Sequence, residues 1–335
     1  MTMAIKIGIN GFGRIGRCFT RLAVAHPEIE IVAINDLAPV ATLAHLLKYD
    51  SVHGRFNGEI SAGSDHLMVQ GKKVFVSSCK NPTEIPWAKL GVDIVLESSG
   101  LFLTREAASQ HLQAGAQKVI LSAPPNSNDI KAIVMGVNDQ ILDGTEDIIS
   151  NASCTTNSAA PLVAVMKKLG TIESCYITTV HSYTTDQKLH DAPHKDLRRA
   201  RAAAESIVPT TTGAAKAITK IFPELEGKMG GCGLRVPVPD GSITDMTFNM
   251  DREVSVEQIN QAFKIASQQE LKGILDYTED PIVSVDIIGS PFSATFDAAL
   301  TSTIGKMIKV VSWYDNEAGY SNRLVDLILK VGFHK

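Results

Sequence analysis

Short apolar runs alternate with amphipathic stretches through the first half of the chain. Ile5–Ile9, Ile29–Ile34, Val92–Glu97, Val119–Ser122 and Ile133–Val137 read as strands; Ile15–Ala25, Val40–Leu47 and Arg105–Ala114 read as helices. That alternation predicts a parallel sheet with crossover helices. Asp65–Gln70 and Lys73–Val76, flanking Gly71-Lys72, read as a hairpin inserted into the plan, and Ser122–Asn128 as a loop within the first domain. After Gly170 the pattern changes. Ile172–His181, Leu234–Val238, Ser242–Asn249, Val283–Ile287 and Ile308–Tyr314 are strands bounded mostly by turn residues, with helices over Pro161–Leu169, Ala214–Ile221 and Val256–Gln268. This second half reads as α+β, a mostly antiparallel sheet with helices on one face. Ser321–Val331 closes the chain as an amphipathic helix.

At 335 residues the chain exceeds one ordinary core, which agrees with two domains. A net charge of -4 and the absence of a long basic run give no reason to expect nucleic acid as the main ligand. No apolar run is long enough to span a bilayer, and Met1–Ala4 lead directly into a strand without the look of a signal peptide. The five cysteines are scattered and show no CxxC pairing, which suits a reducing, cytoplasmic setting and supports neither a metal site nor a disulfide framework.

Gly11-Phe12-Gly13-Arg14-Ile15-Gly16 fits G-x-G-x-x-G, a weak signal when alone. Here it follows a strand, opens a helix, and is followed twenty positions after Gly16 by Asp36 at the end of a second strand. Gly11 permits the tight turn, Gly13 the close approach of a pyrophosphate, and Gly16 close helix–strand packing. Asp36 is placed to accept hydrogen bonds from ribose hydroxyls and to repel a 2′-phosphate, favouring NAD over NADP. The plainer alternative is a structural turn and a surface carboxylate.

Cys154 lies in the polar segment Ser150–Ser158, just before an apolar helical run. Since Pro161 is tolerated only in a first turn, the polar cluster is expected at or before a helix N-terminus, where N–H groups and the helix dipole stabilise a thiolate. A buried structural thiol is the competing reading. His181, at the end of its strand, becomes the natural base once an activated cysteine is present; alone, such a histidine is more often surface or core. Lys195–Ala202 is the densest basic segment, explained most simply as a solvated helix face. Arg235, inside apolar Leu234–Pro237, needs an anion, and guanidinium matches phosphate.

The blocks INGFGRIGR (9–17), AINDL (33–37), SNASCTTN (150–157), TVHSYT (179–184), HKDLRRARAAA (194–204), PTTTGAAKA (209–217), LRVPVPDGS (234–242) and SWYDNEAGYSNR (312–323) carry a resemblance over essentially the whole length. The chain resembles phosphorylating glyceraldehyde-3-phosphate dehydrogenase. The resemblance implies an α/β fold: a Rossmann-type parallel-sheet NAD domain (1–152, completed by a C-terminal helix, 318–335) and an α+β catalytic domain (153–317). It makes Cys154 the nucleophile of a thioester mechanism and His181 its activator. NAD is met by Gly11, Gly13, Arg14, Ile15, Gly16, Asp36, Ser122 and Asn316, with Lys80 where bacterial members often carry Arg. Thr184 and Arg235 take the phosphate of glyceraldehyde 3-phosphate; Ser153, Thr155, Arg199, Thr212 and Gly213 take inorganic phosphate. A cytoplasmic homotetramer is implied, with the loop 182–206 beside a neighbour's cofactor. Ser158 replaces a second cysteine of many members, which removes disulfide formation with Cys154. Ala192-Pro193 stands where NAD-specific members usually have Leu-Pro and dual-specific ones Ala-Ser; with Asp36 retained and Leu37 beside it, NAD is still the cofactor the resemblance implies, and the extent of NADP tolerance is left open. Erythrose-4-phosphate dehydrogenase is the nearest alternative, and a binding protein on an enzyme scaffold the alternative of another class.

Overall fold

The computed structural model describes residues 4–332, so the last three residues of the expected 318–335 helix lie outside it. The chain divides into two compact units: Met1–Ile133 with Asp139–Ala152 and Ser321–Lys335, and Val134–Asn138 with Ser153–Tyr320.

The strands of the first unit are β1 (Ile5–Asn10), β2 (Ile29–Asn35), a small separate ribbon of β3 (Tyr49–Asp50) and β4 (Gly54–Arg55), then β5 (Ile60–Ala62), β6 (His66–Val69), β7 (Lys72–Ser77), β8 (Ile94–Glu97), β9 (Lys118–Leu121), β10 (Lys131–Ala132) and β11 (Ile148–Ser150). Nine of them form one sheet in the order β10-β11-β9-β8-β1-β2-β7-β6-β5. Pairing is parallel from β10 across to β7 and antiparallel at β7-β6-β5. The expected hairpin is therefore the edge of the main sheet. Helices α1 (Arg14–Ala23), α2 (Val40–Lys48), α3 (Trp87–Leu90) and α4 (Arg105–Gln113) connect the strands. Ile7, Ile9, Ile34, Val95, Leu96, Val119 and Ile120 are buried, the near-continuous apolar content of strands covered on both faces.

In the second unit, β13 (Val208–Thr210), β14 (Met229–Val236), β12 (Ile172–Ser182), β15 (Ser242–Met250), β19 (Met307–Tyr314), β17 (Ala294–Asp297) and β16 (Leu275–Thr278) lie in that spatial order, with β18 (Ser302–Ile304) also paired to β19. Only β12–β14 and β16–β17 are parallel. Helices α5 (Cys154–Leu169), α6 (Ala214–Ile221) and α7 (Val256–Gln268) pack on one face, α5 against both other helices and against β12, β15, β17 and β19. Phe263 of α7 stacks on Phe296 of β17 at 3.9 Å between ring centres. Helix α8 (Ala318–Gly332) starts in this unit and continues in the first.

Three expectations are corrected. Ile133–Val137 is a turn, and the strand is the shorter β10 before it. The Val134 N–H goes to Asn138 Oδ1 at 2.7 Å and Gly136 has φ 79°, so a side chain replaces the strand partner. Ser284–Ile287 is a 3-10 turn: Asp286 accepts the Val283 N–H at 2.8 Å, leaving Val283 and Val285 exposed and only Ile287 buried. Pro161 is not in a first turn. Helix α5 begins two turns earlier at Cys154, because Thr155, Thr156, Asn157 and Ser158 are buried and hydrogen-bonded rather than solvated. Proline inside a helix costs roughly 3 kcal/mol, offset here by the burial of α5 along most of its length.

Asp240, fully buried between β14 and β15, has its pKa pushed up from 3.8 to about 9 by burial and then by the neighbouring Asp315 and Glu317 carboxylates. The folded chain thus holds a proton that the unfolded chain releases, and stability falls as pH rises from about 4 to about 9. Asp240→Asn should flatten that slope. Urea midpoints at pH 5 and pH 8.5 check it, and equal slopes for wild type and variant contradict it.

Candidate active site

The C-terminal ends of the first unit's parallel strands carry the glycine loop. Gly11 has φ 90°, and a Cβ there would lie 2.6 Å from the Ser99 nitrogen; at Gly16 it would lie 2.5 Å from the Gly11 carbonyl oxygen. Gly13 differs. It is exposed, its φ of -73° is open to any residue, and no atom lies within 4 Å of where its Cβ would be. Neither backbone nor packing demands glycine at 13, which fits a ligand that approaches from outside the chain. Gly13 also caps α1 without a side-chain bond, and no acidic residue stands in the first turn around Arg14 and Ile15, so the positive helix end suits an anion.

Asp36 accepts from Phe12 N at 2.7 Å and Ala38 N at 2.9 Å, bracing the loop. A carboxylate has about four acceptor sites, so capacity for hydroxyl donors remains. Arg14 is paired with Asp50 at 2.6 Å. Burial tends to raise the Asp50 pKa, but the His53 N–H, Arg14 and the Val52 N–H bring it down to about 2. Lys80 is exposed shortly after β7, and Ser122 follows β9 with its N–H on the Glu97 carbonyl.

Beneath this loop runs a buried polar chain that periodicity does not reveal. Trp87 Nε1 donates to His111 Nδ1 at 3.1 Å, so His111 Nε2 carries the proton facing Glu97 Oε2 at 3.0 Å. Asn10 Nδ2 donates to the same Glu97 oxygen, and Asn35 Nδ2 to Asn10 Oδ1. Its only trace in the sequence is Asn10, Asn35 and Glu97, each a polar residue at the end of its strand.

In the second unit, Cys154 is the first residue of α5. Ser153 is the N-cap, its Oγ accepting from Thr156 N at 3.1 Å. Ala152 precedes it in the left-handed region, φ 54°, which costs a non-glycine residue roughly 1–2 kcal/mol and sharply redirects the chain into the cap. Cys154 Sγ lies 3.4 Å from His181 Nε2. His181 Nδ1 lies 2.8 Å from the Ser182 carbonyl oxygen, which also accepts from Arg235 Nη1 at 2.9 Å. Nδ1 faces both that carbonyl and Arg235 Nη1, 2.7 Å away; the tautomer that donates Nδ1–H to the carbonyl is the one that leaves Nε2 as the acceptor facing the thiol. Burial, then the Arg235 charge, lower the His181 pKa to about 3 against the opposing pull of the Ser182 carbonyl. The imidazole is therefore neutral and basic in form at neutral pH.

The thiol departs from the sequence expectation. Burial pushes its pKa up, and Arg235, Thr155 and the Cys154 N–H only partly counter this. The resting pair is thiol and imidazole, with the thiolate formed on demand. Tyr314 holds the ring edge-to-face, its hydroxyl bonded to Thr155 Oγ1 and Thr179 Oγ1, both at 2.9 Å. Ser158 Oγ meets Thr244 Oγ1 at 2.9 Å and Ser312 Oγ at 3.2 Å. Sequence reasoning missed this hydroxyl layer. Its signal is Thr179, Ser242, Thr244 and Ser312 at strand positions whose alternation points inward. Asn316, just after β19, has Oδ1 held by Ser182 Oγ at 2.8 Å and Ser242 Oγ at 2.7 Å.

The cationic residues are placed unequally. Arg235 pairs in register with His181, and among the described residues its guanidinium meets the Ser182 carbonyl and the His181 ring rather than a carboxylate. Thr184 lies two residues beyond β12, half-buried. Lys195–Ala202 is a series of turns rather than a helix, and Arg199 is tied to Asp186 and Asp196. Thr212 Oγ1 accepts from Ala214 N at 3.2 Å, and Gly213 is the N-cap of α6, with open space at its Cβ position. The Thr155 hydroxyl is occupied by Tyr314, which leaves main-chain N–H groups as the donors at the start of α5.

Comparison with known proteins gives one consistent result. Residues 5–105 match the NAD binding domain of glyceraldehyde 3-phosphate dehydrogenase, and residues 153–316 match its C-terminal domain. Glyceraldehyde-3-phosphate dehydrogenase of Geobacillus stearothermophilus is 56% identical over 327 residues, 97% of each chain. The enzyme 1 of that name from Bacillus subtilis is 54% identical over 97% of each chain, and that of Streptomyces coelicolor 54% over 98% of this chain and 99% of its own. This chain belongs to the glyceraldehyde-3-phosphate dehydrogenase family.

Proposed function

We propose that this protein oxidises glyceraldehyde 3-phosphate with NAD and captures the acyl group with inorganic phosphate, through a thioester on Cys154. The observation that carries the reading is the 3.4 Å approach of a neutral His181 Nε2 to a thiol at the first position of a helix. NAD, when bound, supplies the hydride acceptor. Gly11, Gly13, Arg14, Ile15, Gly16, Asp36, Lys80 and Ser122 hold it, supported by the unfilled space at Gly13 and the bare N-terminus of α1, and Asn316 meets its nicotinamide carboxamide.

His181 Nε2 takes the Cys154 proton as sulfur attacks the aldehyde carbon, and returns it to the oxygen, giving a hemithioacetal. The Cys154 N–H and His181 stabilise the developing oxyanion. His181 then removes the hydroxyl proton as the hydride departs, leaving a thioester. Phosphate attacks that carbonyl and gives up its own proton to solvent; as the acyl phosphate leaves, the departing thiolate takes back the proton held by His181, which restores thiol and imidazole. Arg235, with Thr184, holds the substrate phosphate. Its charge also raises the barrier to imidazolium formation, so it keeps the base unprotonated between turnovers. Thr212, Gly213, Arg199, Ser153 and Thr155 receive inorganic phosphate, with the α6 N-cap offering main-chain donors.

The division into a cofactor domain (1–152 with 318–335) and a catalytic domain (153–317) is part of this reading, supported by the two compact units. So is a homotetramer: α5, α6 and α7 cover one sheet face, while Tyr176 and Met307 stand exposed on β12 and β19. No helix among the described residues is long and apolar enough to cross a membrane, and five free cysteines suit the cytoplasm. NADH formation from glyceraldehyde 3-phosphate and from erythrose 4-phosphate, each with and without phosphate, tests the reaction. Rapid, phosphate-dependent turnover of the triose alone is expected; phosphate-independent turnover of the tetrose contradicts it.

Gly13→Ala separates cofactor binding from folding. Stability should stay within about 1 kcal/mol, since the roughly 1 kcal/mol lost at the cap is offset by the entropy the unfolded chain loses. NAD binding should weaken at least about tenfold as a methyl enters the cofactor's space. Calorimetric titration and urea unfolding read the two effects; unchanged NAD affinity would remove Gly13 from the site.

A further inference from the structure

We infer that Ser182 and Ser242 are positioning residues that lock the Asn316 amide in one of its two orientations, so that the protein offers the nicotinamide carboxamide a donor and no acceptor. The inference rests on the reading that Asn316 meets that carboxamide.

An asparagine amide turned by 180° occupies the same space with donor and acceptor exchanged, so its orientation is decided by its partners. Ser242 Oγ accepts from Ser182 N at 3.1 Å, which leaves its own O–H to be donated. Asn316 Oδ1 is 2.7 Å away and takes it. Ser182 Oγ donates to the same oxygen at 2.8 Å. Both lone pairs of Oδ1 are then filled from the protein side. Ser182 and Ser242 are buried and Asn316 is 6% exposed, so water does not compete for these bonds. Turning the amide would let its NH2 donate to the two serine oxygens but leave both hydroxyl hydrogens without their acceptor in a buried place, where each unmet polar group is costly. Nδ2 has no protein acceptor among the described residues and is not among the buried atoms lacking a partner, so it is the accessible end of the side chain. What it offers is two N–H donors.

The recognised feature is therefore the carbonyl oxygen of the carboxamide, and its NH2 contributes nothing at Asn316. A cofactor bearing an acetyl group in place of the carboxamide retains that oxygen and lacks only the NH2. It discriminates the two orientations directly.

The experiment measures equilibrium binding of NADH and of reduced 3-acetylpyridine adenine dinucleotide by fluorescence. The proteins are wild type, Ser182→Ala, Ser242→Ala, the double alanine variant, and the isosteric Asn316→Asp. Wild type and each single variant, which keeps one hydroxyl on Oδ1, should bind the two cofactors within about threefold of each other. The double variant frees the amide to turn and accept an N–H that only NADH has, shifting the ratio about tenfold towards NADH. Asn316→Asp replaces the donor by an acceptor without changing shape and shifts the ratio the same way, which keeps the test decisive if the double variant does not fold. Ratios that stay at the wild-type value in both altered proteins overturn the inference. Asn316→Ala that weakens neither cofactor would instead remove Asn316 from the carboxamide, a failure of the underlying reading. Iodoacetamide uptake by Cys154 and urea unfolding establish that each variant is folded.

Discussion

Cys154→Ala is expected to reduce dehydrogenase turnover by roughly 10⁴-fold or more, the scale on which loss of a covalent nucleophile is felt. The substitution removes the only sulfur within reach of His181 among the described residues and leaves its neighbours in place. Ser153 still caps α5, and Tyr314 still holds Thr155 and Thr179. Folding and NAD binding should therefore be retained, while burst formation of NADH in a single turnover disappears. A variant that still forms NADH in an amount equal to the enzyme, at the wild-type rate, would show that the thiol is not the nucleophile.

His181→Asn should keep NAD affinity and lower turnover by about 10²–10⁴-fold, the usual contribution of a positioned general base. Asparagine can still donate towards the Ser182 carbonyl, so the strand end is preserved, but nothing takes the sulfur proton. Stability moves in the opposite direction at acid pH. The folded pKa of His181, about 3, lies below the unfolded value of 6.5. The neutral imidazole thus contributes stability that is complete above about pH 6.5 and is lost progressively as pH falls towards 3. The asparagine variant lacks this linkage and should lose less stability between pH 7 and pH 4 than wild type. Parallel acid-denaturation curves for the two proteins would contradict the burial of an uncharged His181, and an undiminished rate would take the residue out of the chemistry.

Much of the fold is written in periodicity. β1, β2, β8 and β9 are short apolar runs because parallel strands are covered on both faces, while α6 and α7 have the bounds their amphipathic pattern predicts. Periodicity failed where a side chain substitutes for a backbone partner. Asn138 at Val134 and Asp286 at Val283 turned expected strands into turns. It failed again at α5, where buried hydroxyls let polar residues occupy a core helix ahead of Pro161.

The chemistry was legible to a similar degree. Cys154, His181 and Arg235 stand out as residue types at odds with their local pattern, and the structure places them together. The protonation of the thiol was not legible. Position at a helix N-terminus favours a thiolate, but burial opposes it, and only coordinates show how dry the position is. The supporting hydroxyls at Thr179, Ser182, Ser242, Thr244 and Ser312 were also invisible, since serine and threonine are ordinary in strands and turns until their partners are known.

The central claim is that the aldehyde carbon becomes covalently attached to Cys154 and leaves only to phosphate. Enzyme mixed with glyceraldehyde 3-phosphate and NAD in phosphate-free buffer, quenched in acid within one turnover and mapped by peptide mass spectrometry, tests it most directly. The expected result is one acyl group per chain on the Cys154 peptide, discharged rapidly when phosphate is added before the quench. An acyl group on another residue, no adduct while NADH still forms in a burst, or discharge equally fast without phosphate would contradict the account.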